Sequence, residues 1–300
     1  MTASIDSTLA YRLAAGVDLS IDGDAELVDA VRLAMPRLFR SGEGFEGQPH
    51  WRLQLEREGT TGAGLSSRSG LRPDQQETRT DTGRVVLSAR DLCQIFTRGP
   101  AGLGVLLHVA IAGILRRQSM LQIHAATLSR SDGASALLFI GPSGAGKTTV
   151  TMNLARRGWG FLSDDSVVLS ESDGKFQARP LRSHFRVGRE GQAEKQILDP
   201  EPEFPGQRLS STAIGGLVFV EQSGAPNSRL TPLLREDAFA RLPAAASAFG
   251  VSEEARWQLG FIARLSRLPA FTLSVGRDVL SGDDKLERLL CDLPAEARAA

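Results

Sequence analysis

Residues 136–148 read Ala-Leu-Leu-Phe-Ile-Gly-Pro-Ser-Gly-Ala-Gly-Lys-Thr, and this stretch decides the fold. Ala136–Ile140 is an apolar run of strand length. Gly141–Thr148 matches the pattern GxxxxGK[ST] in full, and a helix follows from Lys147 to about Arg157, closed by Gly158. Strand, glycine-rich loop and helix in this order are the setting in which the pattern binds phosphate. Glycines at 141, 144 and 146 open backbone angles closed to other residues and let the chain approach an anion. Successive loop N–H groups and the positive end of the helix then surround the phosphates. The nucleotide-binding set is Gly141, Pro142, Ser143, Gly144, Ala145, Gly146, Lys147, Thr148 and Thr149. Lys147 reaches the β/γ-phosphates of the nucleotide, and the Thr148 hydroxyl is the expected ligand of Mg²⁺. A glycine-rich turn that binds nothing would leave the Lys-Thr spacing unexplained.

Ser163-Asp164-Asp165 follows, ahead of the apolar Val167–Leu169. An aspartate at a strand end near such a loop is a normal Mg²⁺ partner. Two adjacent carboxylates point to a division of labour, one on the metal and one accepting the proton of a nucleophilic hydroxyl. Asp165 is placed with Thr148 in the metal set, and the sequence leaves open which aspartate is the base. The bland alternative is a surface turn with two solvated carboxylates. His124 opens the candidate catalytic positions upstream, on a strand read as Leu121–Leu128. A lone histidine on an apolar strand is more commonly a core residue bonded to backbone. Downstream, Arg182, His184 and Arg186 alternate along Leu-Arg-Ser-His-Phe-Arg-Val (181–187). On a strand these three share one face, where Arg182 would clamp the γ-phosphate or an acidic substrate. The solvated face of an edge strand is the alternative. The candidate catalytic positions are Asp164, Asp165, Lys147, His124 and Arg182. Arg229, Arg235 and Arg241 lie outside any motif and read as solvated; Trp159 reads as a packing residue. The proline-rich Leu198–Gln207 reads as a plain connection or a mobile substrate lid.

Two units are expected. Residues 1–100 form a small α+β unit with strands at Tyr11–Ile21, Trp51–Glu58 and Arg84–Ser88 and a helix at Ala25–Phe39. Residues 59–83, almost without apolar side chains, read as a long mobile loop. Residues 101–300 form the nucleotide-binding domain, opening with an amphipathic helix at Ala101–Arg117. The formal net charge is zero, with 35 basic and 35 acidic residues, which makes the chain a poor candidate for a nonspecific nucleic-acid binder and leaves room for a local basic site. Two cysteines, Cys93 and Cys291, give no disulfide framework, and no CxxC or paired histidine offers a zinc site. The apolar run Ala101–Leu115 falls short of the about 20 residues a bilayer span needs. No signal peptide is read at the N-terminus. The expectation is a cytoplasmic protein without membrane or nucleic-acid partners.

His124-Ala125, the Gly141–Thr148 loop, Arg157-Gly158, Asp164-Asp165 and Arg179-Pro-Leu-Arg182, in this order and spacing, resemble the catalytic domain of the HPr kinase/phosphorylase family. The detailed resemblance covers about residues 122–187. It implies an α/β domain with an α+β tendency, shared with phosphoenolpyruvate carboxykinase, in which the P-loop sits on a mixed, largely antiparallel sheet. It implies an ATP- and Mg²⁺-dependent kinase acting on a serine hydroxyl, with His124 beside the phosphate site. The stretch 210–221, Ser-Ser-Thr-Ala-Ile-Gly-Gly-Leu-Val-Phe-Val-Glu, keeps a glycine and the apolar strand of the family's second signature but lacks its arginine. The resemblance therefore does not extend to phosphorylase activity, hexamers or HPr as substrate, and it leaves a homo-oligomer open. The texture is closer to divergent members found with peptide-maturation systems, some of which phosphorylate a serine of a ribosomally made precursor peptide.

The expected function is thus an ATP-dependent serine kinase acting on a peptide or protein. A small-molecule hydroxyl is the alternative acceptor. A nucleotide-sensing adaptor without transfer is the reading of another class, and the intact Lys147, Thr148 and aspartate pair argue against it.

Overall fold

The computed structural model describes residues 8–39, 51–58, 75–88, 91–130, 135–182, 184–187, 196–246, 252–280 and 284–293. The chain divides into two compact units at Ser119/Met120. The first contains β1 (Leu9–Arg12), β2 (Asp18–Gly23), α1 (Ala25–Leu38), β3 (Trp51–Arg57), β4 (Gln76–Thr80), β5 (Gly83–Leu87), β6 (Leu92–Thr97) and α2 (Leu103–Arg117). Its sheet runs β1-β2-β3-β6-β5-β4, with β2–β3 and β3–β6 parallel.

Three expectations change in this unit. The strand expected at Tyr11–Ile21 is a hairpin, β1 paired antiparallel with β2, turning at Gly16 with φ 87°. The loop expected over 59–83 contains a strand: β4 pairs with β5, and its polar residues suit the sheet's edge, where one side faces no further strand. Residues 59–74 lie outside the described set. The boundary expected near residue 100 lies at 119/120, because α2 belongs to the first unit; its buried Leu106, Leu107, Ala110, Ile111 and Ile114 pack toward β5 and β6.

The second unit holds β7 (Leu121–Ile123), β8 (Ala125–Ser129), β9 (Ala136–Ile140), α3 (Lys147–Ala155), β10 (Gly160–Ser163), β11 (Val167–Ser172), β12 (Lys175–Pro180), β13 (Phe185–Val187), β14 (Gln196–Leu198), β15 (Thr212–Gln222), β16 (Arg229–Pro232), α4 (Arg235–Arg241), α5 (Ser252–Leu265), β17 (Ala270–Val275) and α6 (Lys285–Cys291). Its main sheet runs β10-β8-β9-β15-β12-β11-β7, with β17 on the C-terminal half of β15 and β16 on β17. Among the described strand pairings of this sheet, only β15–β9 and β15–β17 are parallel. This is the mixed, largely antiparallel α/β sheet expected.

Why β9 lies at the centre follows from its side chains. Leu137 and Phe139 point into one core with Val150, Leu154 and Trp159, whereas Ala136, Leu138 and Ile140 point into another with Ala238, Leu242, Phe261 and Ile262. Covered on both faces, β9 needs an unbroken apolar run rather than an alternating one. Its C-terminal end then projects the loop 141–146 from the sheet's edge. Helix α3 ends in a Schellman motif: the Trp159 N–H donates to Leu154 O and the Gly158 N–H to Ala155 O, with Gly158 at φ 87°.

The strand expected at Leu121–Leu128 is broken at His124. Strands β7 and β8 flank that single residue, yet they sit near opposite ends of the strand order, so the sheet curls back on itself there. The His124 N–H is satisfied outside the sheet, by Ala245 O at 2.7 Å. The Ser172-Asp173-Gly174 turn joins β11 to β12 with both central residues at positive φ. The turn expected at Ser131–Gly133 lies outside the described residues.

Candidate active site

Strand register assembles the site. Ala125 is opposite Ile140 in the β8–β9 ladder, so the next pair places His124 opposite Gly141, the first residue of the loop. Val167 is opposite Pro180 in the β11–β12 hairpin; two residues further back, Asp165 faces Arg182. Val167 is also opposite Ile123 in the β11–β7 ladder, which brings His124 next to the aspartate pair. Phe219 is opposite Ile140 in the parallel β15–β9 pair, so Val220 and Glu221 run alongside Gly141 and Pro142. Residues scattered over a hundred positions thus reach one sheet edge because each ends a paired strand.

The loop is shaped for backbone approach. Gly144 and Gly146 have φ of 86° and 99°, the left-handed region that glycine occupies without strain. A Cβ on Gly141 would lie 2.6 Å from Val220 O. Lys147 opens α3 and is nearly buried, at 6% exposure. Its Nζ donates to Gly141 O at 2.7 Å and Pro142 O at 3.0 Å, which satisfies a charge held away from water. Thr149 sits in the same first turn of α3. Gln222 Nε2 donates to Gly144 O at 2.8 Å, tying the loop's tip to the end of β15.

The two aspartates are separated by environment. Asp164 is 2% exposed and accepts the Thr148 hydroxyl at 2.8 Å on Oδ2. Asp165 turns the other way, with Oδ1 3.1 Å from His124 Nδ1 and Oδ2 2.5 Å from Arg182 NH1. Ser163 makes this divergence, because its Oγ accepts the N–H groups of both Asp165 and Ser166 and fixes the turn. The metal set expected from sequence, Thr148 with Asp165, is therefore not the pair the fold brings together; Asp164 is the carboxylate on Thr148. The two carboxylates leave this turn in different directions, so only Asp164 reaches α3.

Among the described residues, no group of three or more His, Cys, Asp or Glu side chains is arranged to hold a metal. Mg²⁺ does not need one. It keeps several waters and takes one or two protein oxygens plus substrate phosphates, and Thr148 Oγ1 with Asp164 Oδ2 supply oxygen donors of that kind. The Gly141–Thr148 backbone, with no room for a Cβ at 141 and a satisfied lysine beneath, fits a nucleotide polyphosphate.

The expectation that Arg182, His184 and Arg186 share one strand face is corrected. Only Phe185–Val187 is strand, Arg182 precedes it on Asp165, and the Arg186 side chain lies outside the described set. The lid reading of 198–207 gives way to an anchored connection, since Phe204 is 2% exposed in the core around α3. Trp159 packs in the same core and its Nε1 donates to Glu287 at 3.1 Å.

A cleft of about 1000 Å³ opens beside the loop, lined by His124 and residues 140–145 and also by Phe219, Glu221, Gln222 and Arg241. The sequence reading took Arg241 as a solvated residue and gave Phe219, Glu221 and Gln222 no role; the structure places all four on the cleft. One signal was available: ligands of open α/β sheets bind beyond the carboxyl ends of the parallel strands, and Glu221 and Gln222 end the strand parallel to β9. Nothing local marks Arg241, which comes from α4. Asp165 and Arg182 lie behind His124, which is 39% exposed and is the titratable member of the trio that faces the cleft.

Among the described residues, no helix is long and apolar enough to cross a membrane. The chain matches no protein-family model and no curated protein. Among solved structures it is similar to the Hpr(Ser) kinase/phosphatase from Coxiella burnetii, with TM-score 0.36 and 12% sequence identity over 57% of this chain and 94% of that one.

Proposed function

We propose that the chain is an ATP- and Mg²⁺-dependent phosphotransferase of the HPr-kinase-like kind that acts on a serine hydroxyl of a peptide or protein. The observation that carries this reading is the pairing Thr148–Asp164 and His124–Asp165–Arg182 on either side of one glycine-rich loop. A retired nucleotide site has no physical need for a second, separately oriented carboxylate.

Catalysis of phosphoryl transfer is mostly positioning and charge stabilisation. Bound Mg²⁺ supplies charge neutralisation at the transferred group; Thr148 and Asp164 are the residues that would hold it. Lys147 exchanges two loop carbonyls for phosphate oxygens and keeps the transferred group in place. The loop N–H groups hold the remaining oxygens. His124 presents its Nε2 edge to the cleft and receives the acceptor proton there, while Asp165 holds Nδ1 and fixes the ring. Arg182 holds Asp165 in turn. The new bond joins the serine Oγ to the γ-phosphorus, and the bond from that phosphorus to the β–γ bridging oxygen breaks.

Single-turnover transfer from γ-³²P-ATP to serine peptides tests this. Lys147→Ala should give no label. Asp164→Asn should raise the Mg²⁺ concentration needed for transfer. His124→Asn should slow transfer by about 10²–10⁴-fold, with nucleotide affinity retained. Tight ATP binding with no label on any acceptor would replace the kinase by a nucleotide-sensing adaptor.

A further inference from the structure

Resting on the kinase reading, we infer that the cleft beside the loop is the acceptor site and that Arg241 selects acceptors carrying a carboxylate close to the reacting hydroxyl. The cleft lies at the transfer end of the loop, because His124 lines it and His124 is bonded to Asp165, the neighbour of the Thr148–Asp164 pair. Besides His124, the described lining of the cleft carries one basic side chain, Arg241. Arg241 ends α4, and its guanidinium carbon lies 5.0 Å from the centroid of the Phe219 ring, which supports it from below. Its NH1 donates to Thr272 Oγ1 at 3.2 Å, and its NH2 donates to Glu221. Ring and hydroxyl fix the plane of the guanidinium, so the fork is oriented before any ligand arrives.

Glu221 is a removable partner. Its side chain is 45% exposed and it holds Arg241 from the open side of the cleft. A carboxylate is the group that fits an arginine fork in parallel geometry, and an incoming one takes Glu221's place without leaving Arg241 unpaired. The route from His124 to Arg241 passes apolar groups, among them Ile140, Phe219, Ala244 and Ala245. That surface suits an uncharged spacer between hydroxyl and acid. Register places Glu221 beside the loop, one residue beyond Val220, whose carbonyl faces Gly141. The carboxylate comes either from an Asp or Glu side chain near the serine or from the chain terminus of a peptide ending close to it.

The test is a serine-peptide library labelled with γ-³²P-ATP and Mg²⁺. It has three arms: an acidic side chain at successive offsets from serine, a free C-terminal carboxylate, and the amidated and Asn/Gln counterparts. In the wild type, label should favour one acid arm over its amide counterpart by at least about tenfold, and that arm names the source. In Arg241→Gln this ratio should fall toward one, and in Arg241→Lys it should be intermediate, because the ammonium keeps the charge without the fork. Affinity for a fluorescent ATP analogue, read on each variant, shows that the loop still folds. Glu221→Gln should increase labelling of the acid arm, since the competing carboxylate is gone. Label without acid preference, or a preference that Arg241→Gln leaves intact, overturns the inference and leaves the kinase standing. No label on any peptide removes the inference together with the serine-kinase reading.

Discussion

Gly141 is the residue at which the loop depends most closely on its surroundings. Substitution by alanine sets a Cβ 2.6 Å from the backbone oxygen of Val220, and backbone in a central strand has no free direction in which to yield. Gly141→Ala should destabilise the second unit by about 1–3 kcal/mol and weaken nucleotide binding, seen as a lower thermal midpoint and a weaker ATP-analogue affinity. Gly144 is different. A Cβ there meets nothing within 4 Å, so only its φ of 86° argues for glycine. The loop and Asp164-Asp165 were legible in the sequence because each is a local pattern whose residue types serve one chemistry. The partner of each aspartate was not, because it depends on which way two consecutive side chains turn, and Ser163 sets that through two backbone hydrogen bonds. Arg241 was illegible for a related reason: what gives it a role is a phenylalanine twenty-two residues away on another element.

Among elements, α1 shows how a helix start couples to acidity. Asp24 caps it, accepting the Leu27 N–H at 3.2 Å. Hydrogen bonds from the Arg57 side chain and the Leu27 amide, with the nearby guanidinium charge, hold the Asp24 carboxyl below its ordinary range against the opposing effect of burial. A carboxyl lowered by folding stabilises the fold at pH values above its unfolded pKa. That contribution is lost as pH falls through the lowered folded value. Asp24→Ala should therefore cost about 1 kcal/mol near neutrality, and wild-type and variant urea midpoints should converge below the ordinary carboxylate range. Several elements were readable in the sequence: α2 from its helical spacing, β9 from its apolar run, and α3 from the loop before it and Gly158 after it. Where reading failed, a contact distant in sequence decided. Strand β4 is polar because it is an edge, and the break at His124 exists because its N–H is taken by Ala245.

At the scale of the whole molecule, every residue of the candidate site lies beyond Ser119, in a unit with its own sheet and two cores. A fragment comprising residues 120–300 should fold and bind a fluorescent ATP analogue as the full chain does, measured by titration and by its melting transition. Failure to fold would show that the first unit supplies stability the second lacks. One feature of the second unit reaches further. Strand β15 touches the loop through Val220 and Gln222 and offers Glu221 to the cleft between them. On the kinase reading proposed above, three consecutive residues serve donor and acceptor at once. A shift of this strand that widened the loop for a bulkier donor would also move the acceptor's reading head, so the two selectivities are geared together. Variants selected for a new nucleotide should arrive with altered peptide preference, unselected.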